Sequence, residues 1–141
     1  MTTHVFCDGS CLSNPGPGGW AAIVVSDGNE TILQGGCKDS TNNRMELKAA
    51  IEGVTLAKSL NQPIEVFTDS QYVVRGMTEW IVNWKAKNFN KVKNVDLWKE
   101  LDSVCLAQQI KWTWVRGHNG HAMNERCDKI ANGQATQFKN S

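Results

Sequence analysis

The 141-residue sequence contains no Cys-x-x-Cys pair, no excess of either charge, no internal repeat and no long apolar run. Each absence excludes a class of protein. The cysteines (Cys7, Cys11, Cys37, Cys105 and Cys127) are odd in number, and His4, His118 and His121 stand at no ligand spacing from them. That argues against a structural zinc site. The first ten residues lack the basic start and apolar core of a signal peptide, and the longest purely apolar stretch, residues 20–25, is too short to span a bilayer. Reduced thiols and a cytoplasmic location are therefore expected. A formal net charge of +1 neither demands nor forbids a polyanionic partner. The length suits one domain, residues 1–141, with a single core, and a monomer is expected.

Residues 4–11, 19–27 and 30–38 read as three short strands. The turn signals Asn14-Pro15-Gly16-Pro17-Gly18-Gly19 and Asp27-Gly28-Asn29 separate them, which predicts an antiparallel meander. From residue 43 to 60 the period changes, and Leu47, Ala50, Ile51, Val54 and Ala57 recur at helical spacing. Pro63 breaks that helix before a β-rich run at 64–68, and a crossover of this length makes the new strand parallel to a neighbour. Helical patterns then cover 70–77, 79–87 and 95–107. A fifth strand at 109–115 and a loop at 116–122 lead to a last helix, capped by Asn124, that ends near residue 137. This order predicts an α/β fold with a mixed sheet and helices on its faces.

Four acids carry the chemistry. Asp8 shares a strand face with His4 and Phe6, where an unpaired carboxylate is costly, although a turn aspartate before Gly9 is equally ordinary. Asp69 closes the run 64–68 and opens a helix, so an N-cap explains it, but ligands also gather at the carboxyl ends of strands. Glu46, at the edge of the apolar stripe, and Asp128, in the first turn after Asn124, both suit a helix dipole. Taken together, the four point to one cleft. Crowded carboxylates raise one another's pKa values unless cations lie between them, and hard divalent ions need oxygen ligands from several directions. His118, in the glycine-flanked loop Arg116-Gly117-His118-Asn119-Gly120-His121, suits proton transfer or product departure; a plain surface histidine is the alternative. Between Trp80 and Lys99 lie Lys85, Lys87, Lys91, Lys93 and Lys99 with one acid, Asp96. Trp80, Trp84, Phe89 and Trp98 interleave with these lysines, although Trp84 and Trp98 also read as core.

The words Phe6-Cys7-Asp8-Gly9-Ser10, Thr41-Asn42-Asn43-Arg44-Met45-Glu46, Thr68-Asp69-Ser70-Gln71-Tyr72-Val73 and Asn124-Glu125-Arg126-Cys127-Asp128 resemble ribonuclease H of type 1, the bacterial-like form. The resemblance runs over nearly the whole chain, in the family's order. It implies a five-stranded mixed sheet in the order 3-2-1-4-5. It also implies endonucleolytic cleavage of the RNA strand of RNA–DNA hybrids, leaving 3′-hydroxyl and 5′-phosphate ends. By the same resemblance Asp8, Glu46, Asp69 and Asp128 would hold two Mg²⁺ ions, with Mn²⁺ a substitute, and His118 would assist. Cys11 (through its backbone), Asn14, Asn42, Asn43 and Gln71 match positions that contact the minor groove, where the 2′-hydroxyl marks RNA. Thr41 and Asn94 match a pocket for a DNA-strand phosphate, and Trp80 matches a DNA-sugar contact in a basic protrusion. The chain departs from some members at Asp39, where a basic residue often stands. No separate hybrid-binding domain is expected ahead of residue 1. The rival readings are a binding protein that has kept the fold and lost catalysis, or another nuclease or transposase of the same general fold.

Overall fold

Residues 20–25 are apolar at every position because the strand that holds them is covered on both faces. The computed structural model describes residues 1–116 and 121–141. Its elements run β1 (Thr3–Cys11), β2 (Gly16–Ser26), β3 (Asn29–Ser40), α1 (Asn42–Lys58), β4 (Ile64–Thr68), α2 (Gln71–Arg75), a π turn (Gly76–Trp80), α3 (Ile81–Ala86), α4 (Val95–Cys105), β5 (Ile110–Trp114) and α5 (Ala122–Lys139). The strands form one mixed sheet in the order β3-β2-β1-β4-β5, as the resemblance implied. β1 and β3 flank β2 antiparallel, while β4 lies parallel to β1 and β5 parallel to β4.

Strand alternation divides the core between the two faces. Val5, Cys7, Ala22, Val24 and Val66 face Leu47, Ile51 and Val54 of α1, with Leu97, Trp98 and Leu101 of α4 beyond. On the other face Phe6, Ala21 and Ile23 meet Cys127 and Ala131 of α5. The indole of Trp98 is fully buried, and its Nε1–H donates to the Tyr72 hydroxyl at 3.0 Å, so the one polar atom of the ring is satisfied. Trp84 packs partly buried against the same core, consistent with the core reading of both tryptophans. All five cysteines are free thiols.

Three local expectations change. The helix break expected between residues 77 and 79 does not occur, because the π turn carries the chain from α2 straight into α3 and shifts the phase of its apolar face. The last helix begins at Ala122 with His121 in the N-cap position, so Asn124 does not cap it. Instead Asn124 Nδ2 reaches across to the sheet and donates to the Phe67 carbonyl at 3.1 Å. As a result Asp128 lies beyond the first turn, where the dipole weakens.

α5 approaches the sheet closely at Gly19, where a side-chain carbon would strike the Ala131 carbonyl and the Ala135 amide. Gly19→Ala should therefore destabilise the fold by about 1–3 kcal/mol or more. Gly133→Ala lies on the same helix with open space at its Cβ position, and should stabilise by up to about 1 kcal/mol. Urea denaturation of the two variants checks both signs.

Candidate active site

Backbone register places the first two acids. Phe6 of β1 lies opposite Phe67 of β4 in the parallel pair, so two residues further along each chain Asp8 and Asp69 come level. The ends of β3, β4 and β5 lie at this same edge of the sheet, and α1, α2 and α5 each follow one of them. Glu46 arrives from the second turn of α1, held by the Gly9 amide, which donates to its Oε1 at 2.7 Å and lies 3.0 Å from Asp8 Oδ1. A side chain at position 9 would collide with the backbone of Met45 and Glu46, so only glycine allows this approach. Oxygens of Asp8, Glu46 and Asp69 lie within 4.8 Å of one another. Asp128 comes in from α5, where its charge and a side-chain hydrogen bond both act on Asp8.

The electrostatics follow from this crowding. Burial, then the charge of Asp69, pushes the Asp8 carboxyl up to about 8. Burial, followed by the charges of Asp8 and Asp69, holds Glu46 well above the usual carboxylate range. Asp69 does not cap α2, so the N-cap alternative from the sequence is not realised. Ser70 takes that place, its Oγ accepting the Val73 amide at 3.2 Å. The Asp69 carboxylate is thereby left for other use, and its Oδ1 is buried without a hydrogen-bond partner. A cluster of hard oxygen donors that includes an unsatisfied buried carboxylate oxygen fits divalent cations.

The structure brings most of the expected substrate residues together. The Cys11 amide donates to Asn42 Oδ1 at 2.8 Å, and the Asn42 amide faces Asn14 Oδ1 at 3.3 Å. Thr41 caps α1 by accepting from the Arg44 amide at 3.2 Å. Asn43 and Gln71 are exposed, each at the start of a helix. Asn94, in a left-handed backbone conformation, donates to the Tyr72 hydroxyl at 3.0 Å. Trp80 stands apart from the acids, half-buried in an aromatic row with Tyr72 and Trp84 and with the Arg75 guanidinium 5.1 Å from its ring centroid. Lys87, Lys91 and Lys93 line a groove of about 420 Å³ beside Trp84. His118 lies outside the described residues.

Two contributors escaped the sequence reading. Trp114, 42 % exposed, donates its indole N–H to the Asp69 carbonyl at 3.1 Å, and the Val115 amide donates to the Thr68 carbonyl at 2.9 Å. β5 thus clamps the turn that presents Asp69. The only available signal was the alternation of Trp112 with Trp114, which gave no hint of the partner. The second is Arg44, which forks onto Asp96 and holds that carboxyl down at about 2.

A mixed 3-2-1-4-5 sheet with acids gathered at one edge offers hard oxygen donors suited to a divalent cation. The model of the RNase H family matches residues 1–136. Curated relatives include the ribonuclease H of Helicobacter acinonychis, 51% identical over 137 residues that cover 96% of this chain and 94% of the relative. The ribonuclease H of Aeromonas salmonicida is 49% identical over 143 residues, covering 96% of this chain and 92% of its own. Among solved structures, LC9-RNase H1, described as a type 1 RNase H with the type 2 active-site motif, superposes with a TM-score of 0.84 at 29% identity, over 97% of this chain and 73% of that one. The chain belongs to the ribonuclease H family.

The raised carboxyl of Asp8 gives the metal-free protein a characteristic pH dependence. Its folded pKa of about 8 stands above an unfolded value of about 3.9. The folded chain therefore keeps a proton that the unfolded chain has lost, and this contribution, complete below about pH 4, disappears as pH rises towards 8. Asp8→Asn should raise the stability of the metal-free protein at pH 8 by no more than about 5 kcal/mol, and its Tm with it, and change both little at pH 4. Thermal melts in EDTA at both pH values check this, and a lower Tm for the variant at pH 8 would contradict a repulsive cluster.

Proposed function

We propose that this chain hydrolyses the RNA strand of RNA–DNA hybrids endonucleolytically, leaving 5′-phosphate and 3′-hydroxyl ends. The observation that carries the reading is the meeting of the Asp8, Glu46 and Asp69 oxygens within 4.8 Å, in a chain of the ribonuclease H family. Asp8, Glu46, Asp69 and Asp128 would hold two Mg²⁺ ions, with Mn²⁺ able to replace them. Held by these acids, such ions would supply activation of a water on one side of the scissile phosphate and charge stabilisation for the leaving 3′-oxygen on the other.

The remaining work falls to the chain itself. The Gly9 amide holds the Glu46 carboxylate, and the Trp114 indole N–H holds the main-chain carbonyl of Asp69. The Cys11–Asn42–Asn14 network presents polar groups at the minor groove, where a 2′-hydroxyl can donate and accept. Asn43 and Gln71 extend that strip. Thr41 and Asn94 take a DNA-strand phosphate, Trp80 packs on the DNA sugars, and the exposed lysines of the protrusion attract the backbone. His118 belongs to the set on its sequence, as a group that moves protons or helps product leave. We assign residues 1–141 to one catalytic domain, acting as a monomer in the cytoplasm.

The test is gel analysis of an end-labelled RNA–DNA hybrid with Mg²⁺, beside single-stranded RNA, duplex RNA and duplex DNA. Cutting confined to the hybrid and abolished by Asp8→Asn is the expected result. Hybrid binding without cleavage by the folded protein would favour the binding-only reading, and robust cutting of duplex DNA would favour another nuclease of this fold.

A further inference from the structure

Arg44 stands in the first turn of α1 and is engaged by a carboxylate in the geometry a phosphate would use. Its Nη1 and Nη2 donate to Asp96 Oδ1 and Oδ2 at 3.0 and 2.7 Å, a two-pronged grip on a planar pair of oxygens. The same Nη1 reaches Asn94 Oδ1 at 3.3 Å, which ties the cation to a residue of the proposed DNA-phosphate pocket. Around it lie further features of an anion site. Thr41 caps the helix just ahead. Ser40, only 6 % exposed, carries a buried hydroxyl without a partner. Ser40, Arg44 and Lys48 line one cavity of about 310 Å³, together with Asp39. A helix N-terminus, an unsatisfied hydroxyl and a guanidinium fork suit a tetrahedral anion. Asp39 brings negative charge where a cation would be useful, which leaves the positive role to Arg44.

We propose that Asp96 is a resident placeholder for phosphate: it occupies Arg44 in the free protein and gives way to a DNA-strand phosphate when hybrid binds. The exchange rests on the hybrid reading given under Proposed function and adds a device to it. Nothing covalent changes; the guanidinium releases two carboxylate oxygens and takes two phosphate oxygens. The pair is open to solvent, with side-chain exposures of 34% for Arg44 and 62% for Asp96, so water screens it and displacement is easy. A stray anion has to compete with Asp96 at every encounter. A DNA-strand phosphate brings the rest of the duplex with it, and its contacts at Asn94 and Thr41 outweigh the lost ion pair. This gives a reason for Asp96 to be the single acid in the basic stretch from Trp80 to Lys99.

The opposing account is structural: the pair ties α4 to α1, and its loss would loosen the pocket. The two accounts predict opposite signs. Hybrid affinity is measured by anisotropy of a labelled duplex in EDTA, for the unaltered protein, Asp96→Asn, Arg44→Gln, the double variant, and Glu100→Gln as a control of equal charge change one turn along α4. Asp96→Asn should bind hybrid about two- to fivefold more tightly than Glu100→Gln, the range that an exposed ion pair spans. The excess should vanish on the Arg44→Gln background. Affinity for Asp96→Asn equal to or below that of Glu100→Gln overturns the placeholder. So does an excess that persists without Arg44. Melting curves of each variant separate a loosened pocket from an intact one. Cleavage of hybrid by the unaltered protein in Mg²⁺ reports on the parent reading independently; if that cleavage is present while Asp96→Asn gains nothing, only the placeholder falls.

Discussion

Electrostatic repulsion between acids that the sheet forces together is the constraint around which this molecule is built. The parallel pairing of β1 with β4 sets Asp8 level with Asp69, and neither strand can slip without turning its core residues outward. None of the ion pairs at Arg44–Asp96, Lys48–Glu52, Arg75–Glu79, Lys85–Asp102, Lys111–Glu65 and Arg126–Glu30 engages Asp8, Glu46 or Asp69. What restrains Glu46 and Asp69 is neutral. An amide at Gly9, an indole N–H at Trp114 and a serine cap at Ser70 fix positions without cancelling charge. The negative potential is thus kept for cations from solution, which gain from it what the fold loses by it.

α1 is the platform that joins this cluster to the proposed nucleic-acid surface. Within the six residues 41–46 its cap and first turns supply Thr41 to the proposed phosphate pocket, Asn42 to the polar strip, Arg44 to the Asn94 side and Glu46 to the acids. Its inner face, with Leu47, Ile51 and Val54 fully buried, fixes the helix on the sheet. A shift of α1 would move the proposed substrate contacts and metal ligands together. Recognition and chemistry are therefore rigidly linked through one helix, which is how a site holds reacting groups in register with a long duplex.

Much of this was legible from local sequence. Alternation and turn residues located the strands of the meander, and the helical stripe of Leu47, Ala50, Ile51 and Val54 located α1 on the sheet. The family's words named the four acids and the sheet order. Less visible were assignments that depend on which of two adjacent polar residues the backbone selects. Asp69 and Ser70 can each cap a helix, and only the tertiary clamp from β5 decides that serine does so. Asn124 is a good cap by type, yet its side chain is drawn to the carbonyl of Phe67, a partner 57 residues away in sequence. The π turn was hidden for a different reason: one extra residue in a turn leaves composition unchanged and alters only the phase.

The placement of α5 has a consequence for the order of events during synthesis. This helix covers Phe6, Ala21 and Ile23 on one face of the sheet and brings Asp128 to Asp8. Residues near 6 and 23 must therefore wait for residues 127–135 before either the core or the carboxylate cluster is complete. A ribosome that has delivered only β1 to β5 holds a sheet with one bare side and an unfinished cluster. In such a nascent chain the proposed set of four acids still lacks Asp128, and the last helix completes core and cluster in one step.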